Sequence, residues 1–198
     1  MKSTKETKNL KANIQLEHLL KSKKRFKILQ GGTRSGKTYA VCQYIAYLIR
    51  TEKKPLVISV IRKTLPALKG SVQRDLISIL EEMGTYYAGI HNKAENNEAN
   101  ELNIEDFRQI NMRCTDQMIL DFNPSDVTHW IYDEVIPRED ADTWVTTYRD
   151  NMFLSEDLVY EIERMKERDP DYWRVYGEGL QAYYSNRQIF SNWQFIDY

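Results

Sequence analysis

The chain has 198 residues, of which 41% are hydrophobic, and it carries 28 Lys and Arg against 29 Asp and Glu. This composition suits one globular domain and excludes a wholly disordered chain. No apolar run approaches the roughly 18–20 residues that a membrane-spanning helix needs, so we expect no membrane partner. Two cysteines are too few for a disulfide framework, and a cytoplasmic protein is expected.

The near-neutral total hides a strong charge asymmetry along the chain. Residues 1–74 have a balance of +15, and residues 75–198 have a balance of −16. Such a split favours one surface for polyanions and another for basic partners. The alternative, that the two halves interleave in space and neutralise each other, remains equally open.

Hydrophobic patterns predict the elements of the first half in chain order. Residues 1–11 form a basic flexible tail, and residues 12–198 are expected to form one domain. The predicted elements are a helix over 12–22, a strand over 25–30, a helix over 37–50, a strand over 56–61 and a helix over 65–83. Segment 56–61 is almost continuously apolar, which is typical of a parallel strand covered on both faces.

Regular patterns are lost between residues 85 and 103 and then resume. The second half is predicted to contain helices over 104–112, 127–135, 156–168 and 170–177, and strands over 117–122 and 144–148. Ser155 is the expected N-cap of the third of these helices. Strands that alternate with helices indicate an α/β fold with a mostly parallel sheet flanked by helices.

A glycine-rich loop carries the clearest chemical signal. The residues match the pattern G-x-x-x-x-G-K-[ST] between a predicted strand and a predicted helix, and they are Gly31, Gly32, Thr33, Arg34, Ser35, Gly36, Lys37 and Thr38. Glycines let backbone N–H groups surround a phosphate, and the following helix N-terminus adds a positive dipole end. Lys37 would contact the β- and γ-phosphates of ATP, and the Thr38 hydroxyl would be a ligand of Mg²⁺.

Two further positions could complete such a site. Glu98 lies in an acidic stretch where a water-activating glutamate would be useful, although read alone this stretch is more simply a solvated acidic loop. Asn123 follows the predicted strand 117–122, at the edge of the sheet where α/β folds bind ligands. An asparagine before a proline is also a common turn former, so both interpretations stay open.

Taken together, these segments resemble the ATPase domain of tailed-phage terminase large subunits, from about residue 13 to the end of the chain. The segments that carry the resemblance are 30–38, 60–64, 97–102 with 105–107, 121–125 with 129–132, 148–151 and 173–177. The resemblance implies a P-loop NTPase fold of the RecA-like type with a reduced number of strands. It also implies an ATPase that moves double-stranded DNA into a procapsid in the host cytoplasm.

The resemblance assigns roles to individual residues and names partners. It implies that Lys37 and Thr38 bind ATP with Mg²⁺, that Glu98 activates water and contributes to the metal site, and that Asn123 couples hydrolysis to motion. Arg62 follows a predicted strand and could reach a phosphate, or it could be structural. The implied partners are double-stranded DNA, the portal protein, the terminase small subunit and further copies of the chain in a ring.

Two departures from the family pattern change the expectation. The apolar strand that should precede Glu98 is missing, so we expect ATP binding to survive and leave open whether ATP is hydrolysed. The chain also stops where similar proteins continue into a nuclease domain, so we expect no DNA cleavage. A nucleotide-binding remnant that only interacts with partners is the main alternative, and a P-loop kinase acting on a small molecule is less favoured.

Overall fold

The computed structural model describes residues 12–61, 68–86, 103–126 and 128–183. The chain divides into two compact units. The first unit is built from Met1–Lys21 and Thr38–Thr115, and the second from Ser22–Lys37 and Asp116–Tyr198. The predicted tail 1–11, Arg62 and Glu98 lie outside the described residues. The prediction of one ATPase domain over 12–198 stays a prediction.

The second unit contains a three-stranded parallel sheet in the order β2-β1-β3. Its strands are β1 (Phe26–Gly31), β2 (Met118–Phe122) and β3 (Ala141–Thr146). Every residue of the central strand β1 is buried, whereas all residues of β2 are half-buried. The expected α/β class with a small parallel sheet is therefore confirmed.

The remainder of the second unit is helical. The short helix α5 (Ile131–Glu134) lies between β2 and β3, and a 3₁₀ turn, Tyr148–Asp150, follows β3. Three helices come next, namely α6 (Glu156–Glu163), α7 (Met165–Arg168) and α8 (Pro170–Tyr172), and a π-helical turn at Trp173–Gly177 follows them directly. Ser155 caps α6 as predicted, because its hydroxyl accepts a hydrogen bond from the Leu158 N–H.

The first unit contains four helices among the residues that the structure describes. They are α1 (Ile14–Lys21), α2 (Lys37–Thr51, which begins at the last residue of the second unit), α3 (Arg74–Glu82, preceded by a π-helical stretch at Leu68–Gln73) and α4 (Ile104–Arg113). Its core is a cluster of Cys42, Ala46, Val72 and Ile79. A capping box closes the N-terminus of α4, in which Asn103 and Asp106 each accept a backbone hydrogen bond from the other.

Several predicted elements differ from the structure. The strand predicted over 56–61 is wrong, because these residues form neither strand nor helix and Val57 is 96% exposed. The strand predicted over 144–148 begins and ends earlier, since the residues after Thr146 enter a turn. In that turn, Thr147 donates its backbone N–H to the Asp150 carboxylate at 2.6 Å, which removes it from the sheet.

Three of the predicted helices also differ from the structure. The helix predicted over 127–135 is confined to Ile131–Glu134, with residue 127 outside the described residues. The helix predicted over 156–168 is divided by a turn at Arg164. In the helix predicted over 65–83, the stretch Leu68–Gln73 is π-helical, and residues 65–67 lie outside the described residues. Within the described ranges, no helix is both long and apolar enough to cross a bilayer.

Candidate nucleotide-binding site

The loop that joins β1 to α2 needs glycine where it passes closest to its neighbours. A Cβ atom on Gly31 would overlap the carbonyl oxygen of Thr146, and one on Gly32 would overlap that of Tyr176. Gly36 has a φ of 87°, a conformation that other residues rarely adopt. The glycines of the motif are therefore required by close backbone approach and by a left-handed turn.

One non-glycine residue of the loop also has a positive φ. Arg34 has a φ of 63°, which is uncommon for a residue with a Cβ atom and costs about 1 kcal/mol or more. The side-chain amide of Asn151 donates a hydrogen bond to the Arg34 carbonyl oxygen at 2.8 Å. The hydrogen bond stabilises the strained conformation of Arg34, and its donor lies 117 positions later in the chain.

Backbone hydrogen bonds attach the loop to the end of β3 and to the last helical turn. The Gly32 N–H donates to the Thr146 carbonyl at 3.0 Å, and the Thr33 N–H donates to the Tyr176 carbonyl at 2.8 Å. The side chain of Gln30 donates to the Gly179 carbonyl at 2.8 Å. The loop is thus fixed from two directions by residues of the second unit.

The Lys37 ammonium lies inside this loop and is only 8% exposed. It donates to the carbonyl oxygens of Gly31 at 2.9 Å and Gly32 at 2.8 Å, and it lies 3.2 Å from the Ser35 hydroxyl. The amide oxygen of Asn123 is a further acceptor at 3.1 Å. A buried cation among neutral oxygens is expensive unless it has such partners, and it is a strong attractor for an anion.

Ser35 and Thr146 form a small buried network next to the lysine. The Ser35 hydroxyl donates to the Gly32 carbonyl at 3.1 Å. The Thr146 hydroxyl lies 3.2 Å from the Ser35 hydroxyl and 3.3 Å from the Gln30 carbonyl. Since both side chains are at most 2% exposed, these contacts link the loop to β3 without competition from water.

The segment after β3 is held to α6 by an aromatic and charged cluster. The Tyr148 hydroxyl donates to the Glu163 carboxylate, and the Arg149 guanidinium lies over the rings of Tyr148 and Trp173. Burial, together with the hydrogen bond to Glu163, raises the pKa of Tyr148 to about 12. This cluster precedes Asn151 and fixes the segment from which Asn151 reaches the loop.

A largely apolar cavity of about 170 Å³ lies beside the loop at Thr33 and Arg34. It is lined by Thr33 and Arg34 and by aromatic side chains that include Tyr172, Trp173 and Tyr176. Neither Lys37 nor Asn123 lines it, so the cavity is next to the loop rather than at the lysine.

The structure brings together some of the predicted site residues and leaves others untested. Gly31–Lys37 form the loop, Thr38 follows in the first turn of α2, and Asn123 reaches Lys37 from the end of β2. Arg62 and Glu98 fall outside the described ranges. Among the residues that the structure does describe, no group of three or more His, Cys, Asp and Glu side chains could hold a metal ion.

Sequence reasoning did not assign a role to the residues that support the loop. The sequence places Thr146 only in a predicted strand, Gln30 in a predicted strand and a family-like segment, and Asn151 only in a family-like segment. Tyr176 contributes a backbone carbonyl, which no side-chain pattern can reveal. The family-like segments 148–151 and 173–177 are the sequence signals that could have suggested contacts with the loop.

Comparisons with known proteins are consistent with this geometry. Residues 92–180 match the family model described as phage terminase large subunit. No match to a curated protein was found. The resemblance inferred from the motifs is therefore confirmed, and the model match itself covers segment 92–180.

Solved structures of a large terminase share the fold. The large terminase of the thermophilic bacteriophage D6E, in crystal form 2, is 18% identical with a TM-score of 0.65, and the match covers 86% of this chain and 53% of that chain. Crystal form 3 gives a TM-score of 0.66 with coverage of 85% and 51%. The complex of that protein with ADP gives a TM-score of 0.63, again at 18% identity, and the match covers 86% of this chain and 53% of that chain. This chain thus spans about half the length of the terminases it matches.

Proposed function

We propose that this chain is the ATP-binding domain of a phage DNA-packaging terminase large subunit, which couples ATP hydrolysis to the movement of double-stranded DNA into a procapsid. The observation that carries the proposal is the buried Lys37 ammonium, held by loop carbonyls and by Asn123 at the ends of two parallel strands. The match of residues 92–180 to the terminase family and the ADP complex of a protein of the same fold support it.

The loop supplies what a triphosphate needs. Backbone N–H groups at the start of α2 and the helix dipole favour negative charge at this position. An incoming phosphate oxygen would replace the Gly31 and Gly32 carbonyls as acceptors of the Lys37 ammonium. Because the lysine is already desolvated, its attraction for the β- and γ-phosphates is stronger than that of a surface lysine.

Mg²⁺ is the expected metal. It is commonly held by one or two protein oxygens together with phosphate oxygens and water, and the Thr38 hydroxyl fits this requirement. In the proposed site Thr38 and Glu98 serve the metal, and Glu98 also activates the attacking water. Bound Mg²⁺ would neutralise charge that develops on the phosphates.

Asn123 and Arg62 have supporting roles in the proposal. The Asn123 amide oxygen accepts a hydrogen bond from Lys37, so in the proposal it would respond when the lysine contacts a phosphate instead of the loop. Movement of Asn123 would be transmitted to β2, which offers a route from hydrolysis to motion. Arg62 would contact a phosphate in its own subunit or in a neighbouring one.

The proposed partners follow from the terminase function. They are double-stranded DNA, the portal protein and the terminase small subunit, with the chain acting as part of a ring at the procapsid in the host cytoplasm. The basic residues of the first 74 positions would neutralise DNA phosphates without reading sequence.

ATP binding is tested by calorimetry with Mg²⁺ and a non-hydrolysable ATP analogue. Replacing Lys37 with Ala should weaken binding by about 10- to 100-fold, since a charged hydrogen bond contributes about 1.5–3 kcal/mol. Lys166→Ala, at an exposed lysine of α7, is the matched control and should bind like the parent. Binding that is equal in all three proteins would refute a nucleotide site at this loop.

Turnover is a separate measurement on the same proteins. DNA-stimulated phosphate release that is lost in both Lys37→Ala and Glu98→Ala supports the packaging motor. Nucleotide binding without release in the parent would support the non-hydrolysing remnant. Phosphoryl transfer to a small molecule would refute both of these functions and indicate a kinase.

A further inference from the structure

Four exposed apolar residues of the first unit lie together in one short segment, and one of them, Val57, is 96% exposed. Residues 56–61 read Leu-Val-Ile-Ser-Val-Ile, and four of the apolar side chains are between 38% and 96% exposed, namely those of Leu56, Val57, Ile58 and Ile61. β-Branched residues dominate the segment, and it follows Pro55, a residue common at the start of a strand. A contiguous exposed apolar segment of this kind marks an interaction site.

The segment is attached to the first unit at one point. Val60 packs on the core cluster of Cys42, Ala46, Val72 and Ile79, and it is the least exposed residue of the six. Within the described part of the chain, no backbone hydrogen bond joins segment 56–61 to another segment. Val60 therefore fixes the position of a segment whose neighbouring side chains are exposed to a partner.

The residues on both sides of the segment are basic. Lys53 and Lys54 precede it and are exposed, and the next two residues of the sequence are Arg62 and Lys63. If two copies of the segment paired, basic residues would face basic residues whether the strands ran parallel or antiparallel. Like charges directly opposite each other destabilise a strand pair, so a second copy is the wrong occupant.

We infer that segment 56–61 is a docking site for a strand of another protein, an extended apolar stretch with acidic residues at its ends. The partner strand would form backbone hydrogen bonds with the segment, and alternate side chains would cover Val57 and its neighbours. Its acidic ends would pair with the basic flanks and would set the register of the two strands. The inference does not rest on the proposed nucleotide function.

The test uses the full chain and a short synthetic peptide in which valine and threonine alternate between two acidic residues at each end. Fluorescence anisotropy should detect binding, and hydrogen exchange should show new protection at the amides of residues 56–61. The same peptide with N-methylated backbone amides cannot form the strand pairing, so its affinity should fall at least about tenfold. Equal affinity for both peptides, or no new protection, overturns the proposal.

Charge reversal tests the role of the flanks. The double variant Lys53→Glu, Lys54→Glu should weaken binding of the acidic-ended peptide about tenfold or more and strengthen binding of a lysine-ended peptide. Lys166→Glu is the matched control and should change neither affinity. If both peptides lose affinity equally, the flanks do not select the partner and the proposal is wrong.

Two further variants separate this surface from folding and from the nucleotide site. Val57→Asp should abolish peptide binding while the thermal unfolding midpoint stays close to that of the parent, because the Val57 side chain is almost fully exposed. Lys37→Ala should bind the peptide like the parent. Sedimentation that shows dimers of the parent, lost in Val57→Asp, would identify a second copy as the occupant and overturn the inference.

Discussion

Two apolar runs of similar length adopt different structures in this protein. The first forms the central strand β1, in which every residue is buried. This strand is hydrogen-bonded to β2 on one side and to β3 on the other. The second, segment 56–61, is at least as apolar but is neither strand nor buried. The difference shows that an apolar β-branched run becomes a strand only when other strands pair with it.

The largest expected effect concerns the glycine at the end of β1. Gly31→Ala should destabilise the protein by more than about 4 kcal/mol or prevent folding, since the added Cβ atom overlaps the Thr146 backbone. Gly70→Ala is the matched control in the first unit, where a Cβ atom meets no described atom within 4 Å, and it should be neutral or slightly stabilising. Denaturant unfolding measures the free energy of unfolding of both variants. Equal changes in Gly31→Ala and Gly70→Ala would contradict the tight packing of the loop.

The second prediction compares the two runs directly. Ile28→Ala in β1 should cost about 2–5 kcal/mol, because Ile28 is fully buried between neighbouring strands. Val57→Ala in segment 56–61 should change the free energy of unfolding by less than about 0.5 kcal/mol. A large loss in Val57→Ala would mean that the segment is covered in solution, and the comparison between the runs would fail.

The third prediction uses two threonines of β3 that face different surroundings. Thr146→Val removes a buried hydroxyl that contacts Ser35 and Gln30, and it should cost about 1 kcal/mol and weaken nucleotide binding. Thr143→Val, at an exposed position of the same strand, should have almost no effect. Chemical denaturation and nucleotide titration of both variants measure these effects. Equal losses of stability and of nucleotide affinity in the two variants would contradict the proposed role of the network of Ser35 and Thr146.

The smallest effect depends on pH and concerns the residues after β2. Burial lowers the pKa of His129 from 6.5, with the Asp126 charge opposing the shift. The folded state therefore binds the proton less readily than the unfolded state, so stability should fall as the pH drops through and below 6.5. His129→Asn should reduce this slope in thermal unfolding measured between about pH 7 and 5. An unchanged slope in His129→Asn would show that this imidazole is not responsible.

Much of the fold could be predicted from local patterns. The positions of β1, β2, α2 and α4 follow from periodicity and from the residues that bound them, and the structure confirms them. The helix cap at Ser155 was predicted because a cap depends only on residues a turn away. Segment 56–61 and the end of β3 were predicted wrongly. Strand pairing and the turn at Thr147 depend on which groups form hydrogen bonds with the backbone, and hydrophobic periodicity carries no information about these groups.

The candidate site likewise has residues that the sequence predicts and contacts that it does not. The loop and its lysine were found from spacing alone, and Asn123 was found as the polar residue after a predicted strand. The supporting contacts from Thr146, Asn151 and Gly179 were not found, because they join residues more than 100 positions apart. Such contacts are set by the packing of the sheet and the following helices.

The sequence by itself determined the chemistry of this protein, which is a glycine loop, a lysine and a helix N-terminus suited to a phosphate. These features are local, since each depends on the backbone freedom and charge of consecutive residues. Only the tertiary structure decided which apolar run is a strand and which distant residues hold the loop in place. Hydrogen bonds between distant segments form only where packing brings their backbones within about 3 Å, and no local pattern specifies that distance.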